Sequence, residues 1–153
     1  MARYDILYRL GGAYADADVE LTCGNPFRCK NSIYTEFPGR WAGLNAHYAQ
    51  SAFSASKHAP WLRFVIESVA EAVKTRKRCT WRDVLWRTGP KVFSAAVLRY
   101  VSRHCNQLTR GELECEGTRL CIHNHSESDR CFKNHRGTHQ STWTKTFQPD
   151  KNC

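Results

Sequence analysis

The apolar positions of this chain change their period along its length, and the changes mark out helices and strands. From Trp61 to Arg76, Leu62, Val65, Ile66, Val69 and Val73 fall on one stripe, the spacing of a helix packed against a sheet. Pro90 opens a second helix, since its fixed φ and missing N–H suit the first helical position. Val92, Phe93, Ala96, Val97, Tyr100 and Val101 form that helix's buried side, and the chain breaks near Cys105. Near the N-terminus Tyr4, Leu7 and Leu10 share one stripe of a short helical segment that Gly11 and Gly12 stop. Short strands are predicted at Ser32 to Phe37, Arg119 to His123 and Trp143 to Phe147, and Ala13 to Leu21 reads as a strand running into a loop. The sum is an α/β domain.

Just after the paired glycines stand Asp16 and Asp18. Side chains at i and i+2 of an extended segment share a face, so the two carboxylates converge if this stretch is a strand. Two such carboxylates offer oxygen ligands to a hard divalent cation, magnesium or manganese, which keeps open positions for substrate phosphates. That chemistry points to a nucleotide-diphosphate substrate. An isolated Asp-x-Asp triplet is common on solvated loops; its flanks give this one more weight.

The run Arg3, Tyr4, Ile6, Leu7, Gly11, Gly12, Tyr14, Asp16 and Asp18 resembles the DXD-containing glycosyltransferases of family thirty-two, which includes alpha-1,6-mannosyltransferases and inositol phosphoceramide mannosyltransferases. The resemblance continues at Gly43-Leu44-Asn45, at Ser54 to Leu62 (where Ala59 separates His58 from Pro60), at Thr88-Gly89-Pro90, and at His139-Gln140-Ser141-Thr142-Trp143. It implies a GT-A type fold and a metal-dependent, retaining transfer of a hexose, mannose as first guess, from a GDP- or UDP-sugar to a glycan or lipid acceptor. By the same resemblance Asp18 binds the metal and Asp16 the metal or the donor. His139 and Ser141 complete the metal site, and Arg3, Tyr14 and Trp143 contact the nucleotide sugar. The metal would stabilise charge growing on the leaving diphosphate. Asp5 and Arg9 are further candidates beside the diphosphate, Arg9 reading equally well as a solvated helix residue; Asn45 and His58 could contact donor or acceptor, though such residues are more often structural.

A chain of 153 residues suits one domain, yet a complete GT-A domain is longer. The expectation is a partial GT-A fold without its N-terminal nucleotide-binding strands: a transferase-like domain at 1–147 and a short tail at 148–153, with a partner subunit as one possible source of the missing half. The resemblance points to the Golgi lumen, although no apolar run approaches the roughly 18 residues of a membrane span.

Eight cysteines allow complete disulfide pairing, with Cys23 and Cys29 near enough in sequence to close a small loop, although sequence does not fix the connectivity. The rival is zinc, since Cys121, His123, His125, Cys131, His135 and His139 form a Cys/His-rich tract without the spacing of a known finger. The net charge of +9 and the cluster Lys74, Arg76, Lys77 and Arg78 open a phosphate-binding reading. No nucleic-acid motif accompanies them, and cations at a helix C-terminus also complement its dipole, so no nucleic-acid partner is expected. From about Gly117 the composition turns polar and His-rich, the mark of a partly disordered tail. The alternatives to a working transferase are an inactive remnant of one, or a basic Cys/His-rich protein that binds zinc or nucleic acid.

Overall fold

The computed structural model describes residues 2–27, 29–37, 47–75, 87–109, 111–124 and 130–134. Its elements are α1 (Ala2–Leu10), β1 (Gly12–Ala15), β2 (Val19–Leu21), β3 (Ser32–Phe37), β4 (His47–Ala55), α2 (Pro60–Thr75), α3 (Pro90–His104), β5 (Cys105–Thr109), β6 (Glu112–Cys115), β7 (Thr118–His123) and β8 (Phe132–Asn134). Six strands form one sheet in the order β1-β4-β3-β7-β6-β5, and β2 pairs with β8 in a separate two-stranded sheet. Every pairing is antiparallel except β3 with β7, so the large sheet is mixed.

Alternation along the central strands sorts the core into two layers. Ile33 and Phe53 belong to a cluster with Tyr4, Trp61, Leu62, Val65, Phe93 and Val97, so the three helices cover that face. Their neighbours Tyr34 and Ala52 point the other way, into a smaller cluster with Ala49 and Phe132 that is flanked by Val19 and Phe27 of the β2–β8 side. With both faces covered, β4 is buried along almost its whole length although His47, Gln50, Ser51 and Ser54 interrupt its apolar residues, so buried and exposed positions do not alternate along it. That is why period-two alternation did not reveal it.

Both long helices lie where their apolar stripes place them, and α3 passes directly into β5 at Cys105. In α1, Tyr4 and Leu7 are buried, but Leu10 is 74% exposed and does not join the stripe. The reason is local: Gly11 takes φ +72° and donates its N–H to the Leu7 carbonyl at 2.8 Å, which closes the helix with a left-handed cap before another turn can pack. The strand expected at Arg119 to His123 is present as β7, a central strand between β3 and β6, so the partly disordered tail expected from about Gly117 does not begin there, and β8 follows at Phe132. Burial of Leu120 and Cys121 outweighs the polar composition around them. The expected strand from Trp143 lies outside the described residues.

Three disulfides join Cys23 to Cys131, Cys29 to Cys121 and Cys105 to Cys115. The small Cys23–Cys29 loop is therefore not formed. The intervening segment instead runs alongside β7 and β8: Thr22 N–H donates to the Cys131 carbonyl at 3.0 Å and Cys121 N–H to the Asn31 carbonyl at 2.9 Å, which sets each cysteine beside a distant partner. Cys105 and Cys115 face each other directly across the β5–β6 hairpin. Among the described residues no helix is long and apolar enough to cross a membrane.

Candidate functional site

The site begins in the first turn of α1. Arg3 reaches across to the end of β1, where its Nη1 donates to Asp16 Oδ1 at 2.9 Å and to the Gln50 carbonyl at 3.2 Å. On the way its guanidinium lies 4.7 Å from the centre of the Tyr14 ring, within cation–π range. The Tyr14 hydroxyl donates to the same Asp16 Oδ1. Strand pairing explains the convergence, since Tyr14 pairs with Phe53 and Ala15 with Ala52, and the ladder ends with Asp16 N–H on the Ser51 carbonyl at 2.7 Å. Behind them Tyr4 donates its hydroxyl to Gln50 Oε1 at 2.9 Å, tying α1 to β4.

Asp18 stands differently. Val19 N–H donates to the Asp16 carbonyl at 3.0 Å, so Asp16 to Val19 form a tight turn rather than continuous strand. The expected extended geometry, with both carboxylates on one strand face, is replaced by Asp16 at a strand end and Asp18 exposed on the turn beyond it. Among the described residues no side chain pairs with Asp18.

Burial, then the hydrogen bond to Asp16, push the Tyr14 phenol up to about 12 from its ordinary 10.0; the negative charges of Asp16 and Asp18 add to the rise and Arg3 opposes it. Tyr14 therefore remains a protonated donor throughout the neutral range. Both bonds from Arg3 and Tyr14 fall on Oδ1, leaving Asp16 Oδ2 unengaged by either donor. An unengaged carboxylate oxygen and an exposed carboxylate two residues away are ligands of the type that magnesium and manganese take, and among the described residues no third metal-ligating side chain groups with them. The three-ligand grouping found among the described residues, Cys29, Glu112 and Cys121, is elsewhere, and its two cysteines are bonded to each other.

Other candidates separate from this site. Arg9 pairs with Asp5 at 3.0 Å on the exposed side of α1, an i,i+4 helix pair. His58 sits in the β4–α2 turn at φ 58°, its N–H donating to the Tyr8 carbonyl at 2.7 Å and its ring edge-on to Tyr8, a packing role. Asn45, His139, Ser141 and Trp143 lie outside the described residues, as do His125 and His135. The zinc reading loses two thiolates, since Cys121 and Cys131 are in disulfides, and His123 is buried in a stack on Tyr34. Of the basic cluster, Lys74 lies in the last turn of α2 and the arginines and lysine at 76–78 are outside the described residues. Arg87 donates to the Val73 carbonyl at 3.0 Å, satisfying one of the open carbonyls at the end of α2.

Gln50 and Asn31 belong to no motif, yet both hold the surroundings of the site together. Gln50 lies in the middle of β4, where its carbonyl accepts from Arg3 and its Oε1 from the Tyr4 hydroxyl. Asn31 is buried; its Oδ1 accepts from Ser56 N–H at 2.8 Å and from Trp61 Nε1 at 3.2 Å, while its Nδ2 donates to the Arg119 carbonyl at 3.1 Å. It fixes the turn from β4 into α2 against β7. No protein-family model matches this chain, and no curated protein matches it.

Proposed function

We propose that the chain is a hexosyltransferase domain of GT-A type that uses magnesium or manganese to transfer a sugar, mannose as first choice, from a GDP- or UDP-sugar to a glycan or lipid acceptor. The observation that carries this reading is the Arg3–Tyr14–Asp16 cluster with Asp18 exposed on the adjoining turn. In it one carboxylate is oriented by two donors and a second is left open to an ion. Its resemblance to the DXD transferases supplies the sugar nucleotide and the retaining outcome.

In this reading Asp16 Oδ2 and Asp18 hold the cation, which when bound supplies Lewis-acid stabilisation to a leaving diphosphate. Arg3 and Tyr14 act on Asp16. By engaging Oδ1 they fix the carboxylate's rotation, so that Oδ2 is already placed when the ion arrives. The Arg3–Asp16 pair is about one-third exposed on both sides, so its direct contribution to stability is at most about 1 kcal/mol. Its role is orientation. The proposed lumenal location accords with three disulfides, which persist in oxidising compartments.

The test is titration calorimetry of the folded chain with UDP and with GDP, each with and without manganese, repeated on Asp18→Ala. Manganese-dependent binding that weakens at least about tenfold in the variant supports the site and names the base. A protein with native circular dichroism that binds neither nucleotide is a transferase relative without donor binding, and the catalytic reading fails.

A further inference from the structure

An open hollow of about 510 Å³ lies at the other end of β1, away from the carboxylates. Three segments meet there: the α1–β1 turn, the β4–α2 turn and the stretch before β3 that the Cys29–Cys121 bond fastens to β7. Gly12 and Ala13 line it and Asp16 does not; three residues of strand at roughly 3.3 Å each put Asp16 about 10 Å beyond its edge. The hollow is not an extension of the candidate metal site.

Its walls are of two kinds. Leu10, the helix residue displaced outward by the glycine cap, and Phe27 from the disulfide-fastened stretch supply apolar surface. Lys30 and Lys57, from two different segments, supply charge, and among the described residues neither has an ion-pair partner. The frame between them is rigid. Ser54 is buried and its hydroxyl donates to the Cys29 carbonyl at 3.2 Å, while Ser56 is held through its N–H and its hydroxyl by Asn31 Oδ1. Gly11 lies so close to the Lys57 backbone that a Cβ would come within 2.8 Å of its nitrogen. Two exposed lysines on the rim of a partly apolar hollow, without an ion-pair partner among the described residues, fit a compact dianion joined to an organic body.

We propose that this hollow binds a phosphate monoester carried on a sugar-sized or larger group, with Lys30 and Lys57 on the phosphate and Leu10 and Phe27 against the body. The site stands independently of the transferase reading, because it uses neither Asp16 nor Asp18 nor a metal.

The test is titration of the folded chain with glucose 6-phosphate in metal-free buffer, beside inorganic phosphate and glucuronate, on the native protein and on Lys30→Gln, Lys57→Gln and Leu10→Asp. Saturable binding is expected, tighter for the sugar phosphate than for either control, about tenfold weaker in each lysine variant and weaker in Leu10→Asp. Asp18→Ala is expected to leave it unchanged. Vesicles of phosphatidylcholine with phosphatidic acid present the same group on a lipid: lysine-dependent vesicle binding without binding of glucose 6-phosphate assigns the monoester to a headgroup, and the reverse assigns it to a soluble ligand. Absence of binding to both, affinity unchanged when both lysines are replaced, or glucuronate or inorganic phosphate binding as tightly as glucose 6-phosphate overturns the proposal. All three substitutions are at exposed positions, so folding is expected to survive them.

Discussion

Tyr14 and Arg3 act on a single oxygen of Asp16, and that redundancy sets what their loss does. Tyr14→Phe keeps the ring packed on Phe53 and removes only the hydroxyl donor, so manganese-dependent nucleotide affinity is expected to fall about three- to tenfold with little change in melting temperature. Arg3→Ala removes a donor and the cation over the ring together and is expected to cost more, about tenfold or above; calorimetry on both variants and the double variant reads the coupling. Tyr14 also gives the protein an alkaline signature. Its folded pKa is raised, from 10.0 to about 12, so its contribution is intact below pH 10 and is lost as pH rises towards 12. Burial raises Tyr4 and Tyr100 in the same direction. Melting temperature is expected to decline above pH 10, less steeply in Tyr14→Phe, and phenolate absorbance to appear later than in the unfolded chain. The nearness of Arg3, Tyr14 and Asp16 was legible in the sequence, because they lie within fourteen residues and share one motif; the turn that takes Asp18 off the strand was not. Gln50 was not, because only the β1–β4 register brings it near Arg3, and no local pattern encodes that pairing.

At the scale of elements, the two turns of Gly11 and Gly117 do different amounts of work. A Cβ on Gly117 meets nothing within 4 Å, whereas on Gly11 it meets the Lys57 backbone at 2.8 Å and the Ala55 carbonyl at 3.4 Å, on top of a left-handed φ. Gly11→Ala is expected to destabilise by about 2 kcal/mol or more and Gly117→Ala by about 1, measured by denaturant unfolding. The disulfides matter more. Closing a loop near 100 residues stabilises by about 4.7 kcal/mol in the chain-entropy account, against about 3 for a loop near fifteen. The Cys29–Cys121 and Cys23–Cys131 loops are nested, so their contributions do not add. Cys29→Ser with Cys121→Ser is expected to lower the melting temperature by about 10 °C or more, and Cys105→Ser with Cys115→Ser by less. The helices were legible because α2 and α3 keep their apolar period and α3 begins at Pro90. The strands β4, β5 and β6 were not: β4 is covered on both faces, β5 is mostly exposed, and neither situation leaves alternation to read. Disulfide connectivity was likewise out of reach, since the small Cys23–Cys29 loop rested on sequence proximity while Cys29–Cys121 followed the parallel contact of β3 with β7 and Cys23–Cys131 the pairing of β2 with β8.

For the whole molecule, a net charge of +9 predicts that anionic ligands bind more weakly as ionic strength rises. Binding of a phosphate monoester and of manganese–nucleotide are both expected to weaken between low salt and 0.5 M sodium chloride, with the monoester the more sensitive because two lysines carry it; titrations at two salt concentrations check this. The nested pair of disulfides has a further consequence for how the chain is made. Cys23 waits for a partner 108 residues later and Cys29 for one 92 residues later. A polypeptide growing from its N-terminal side therefore exposes two thiols until Cys121 and Cys131 have been added, beside a β3 strand whose parallel neighbour does not yet exist. During that interval Cys105 can meet Cys115 only ten residues on, whereas the two earlier thiols can react with any cysteine that arrives first. Reoxidation of the reduced chain is then expected to pass through mispaired forms and to run faster with a disulfide isomerase present than with an oxidant alone.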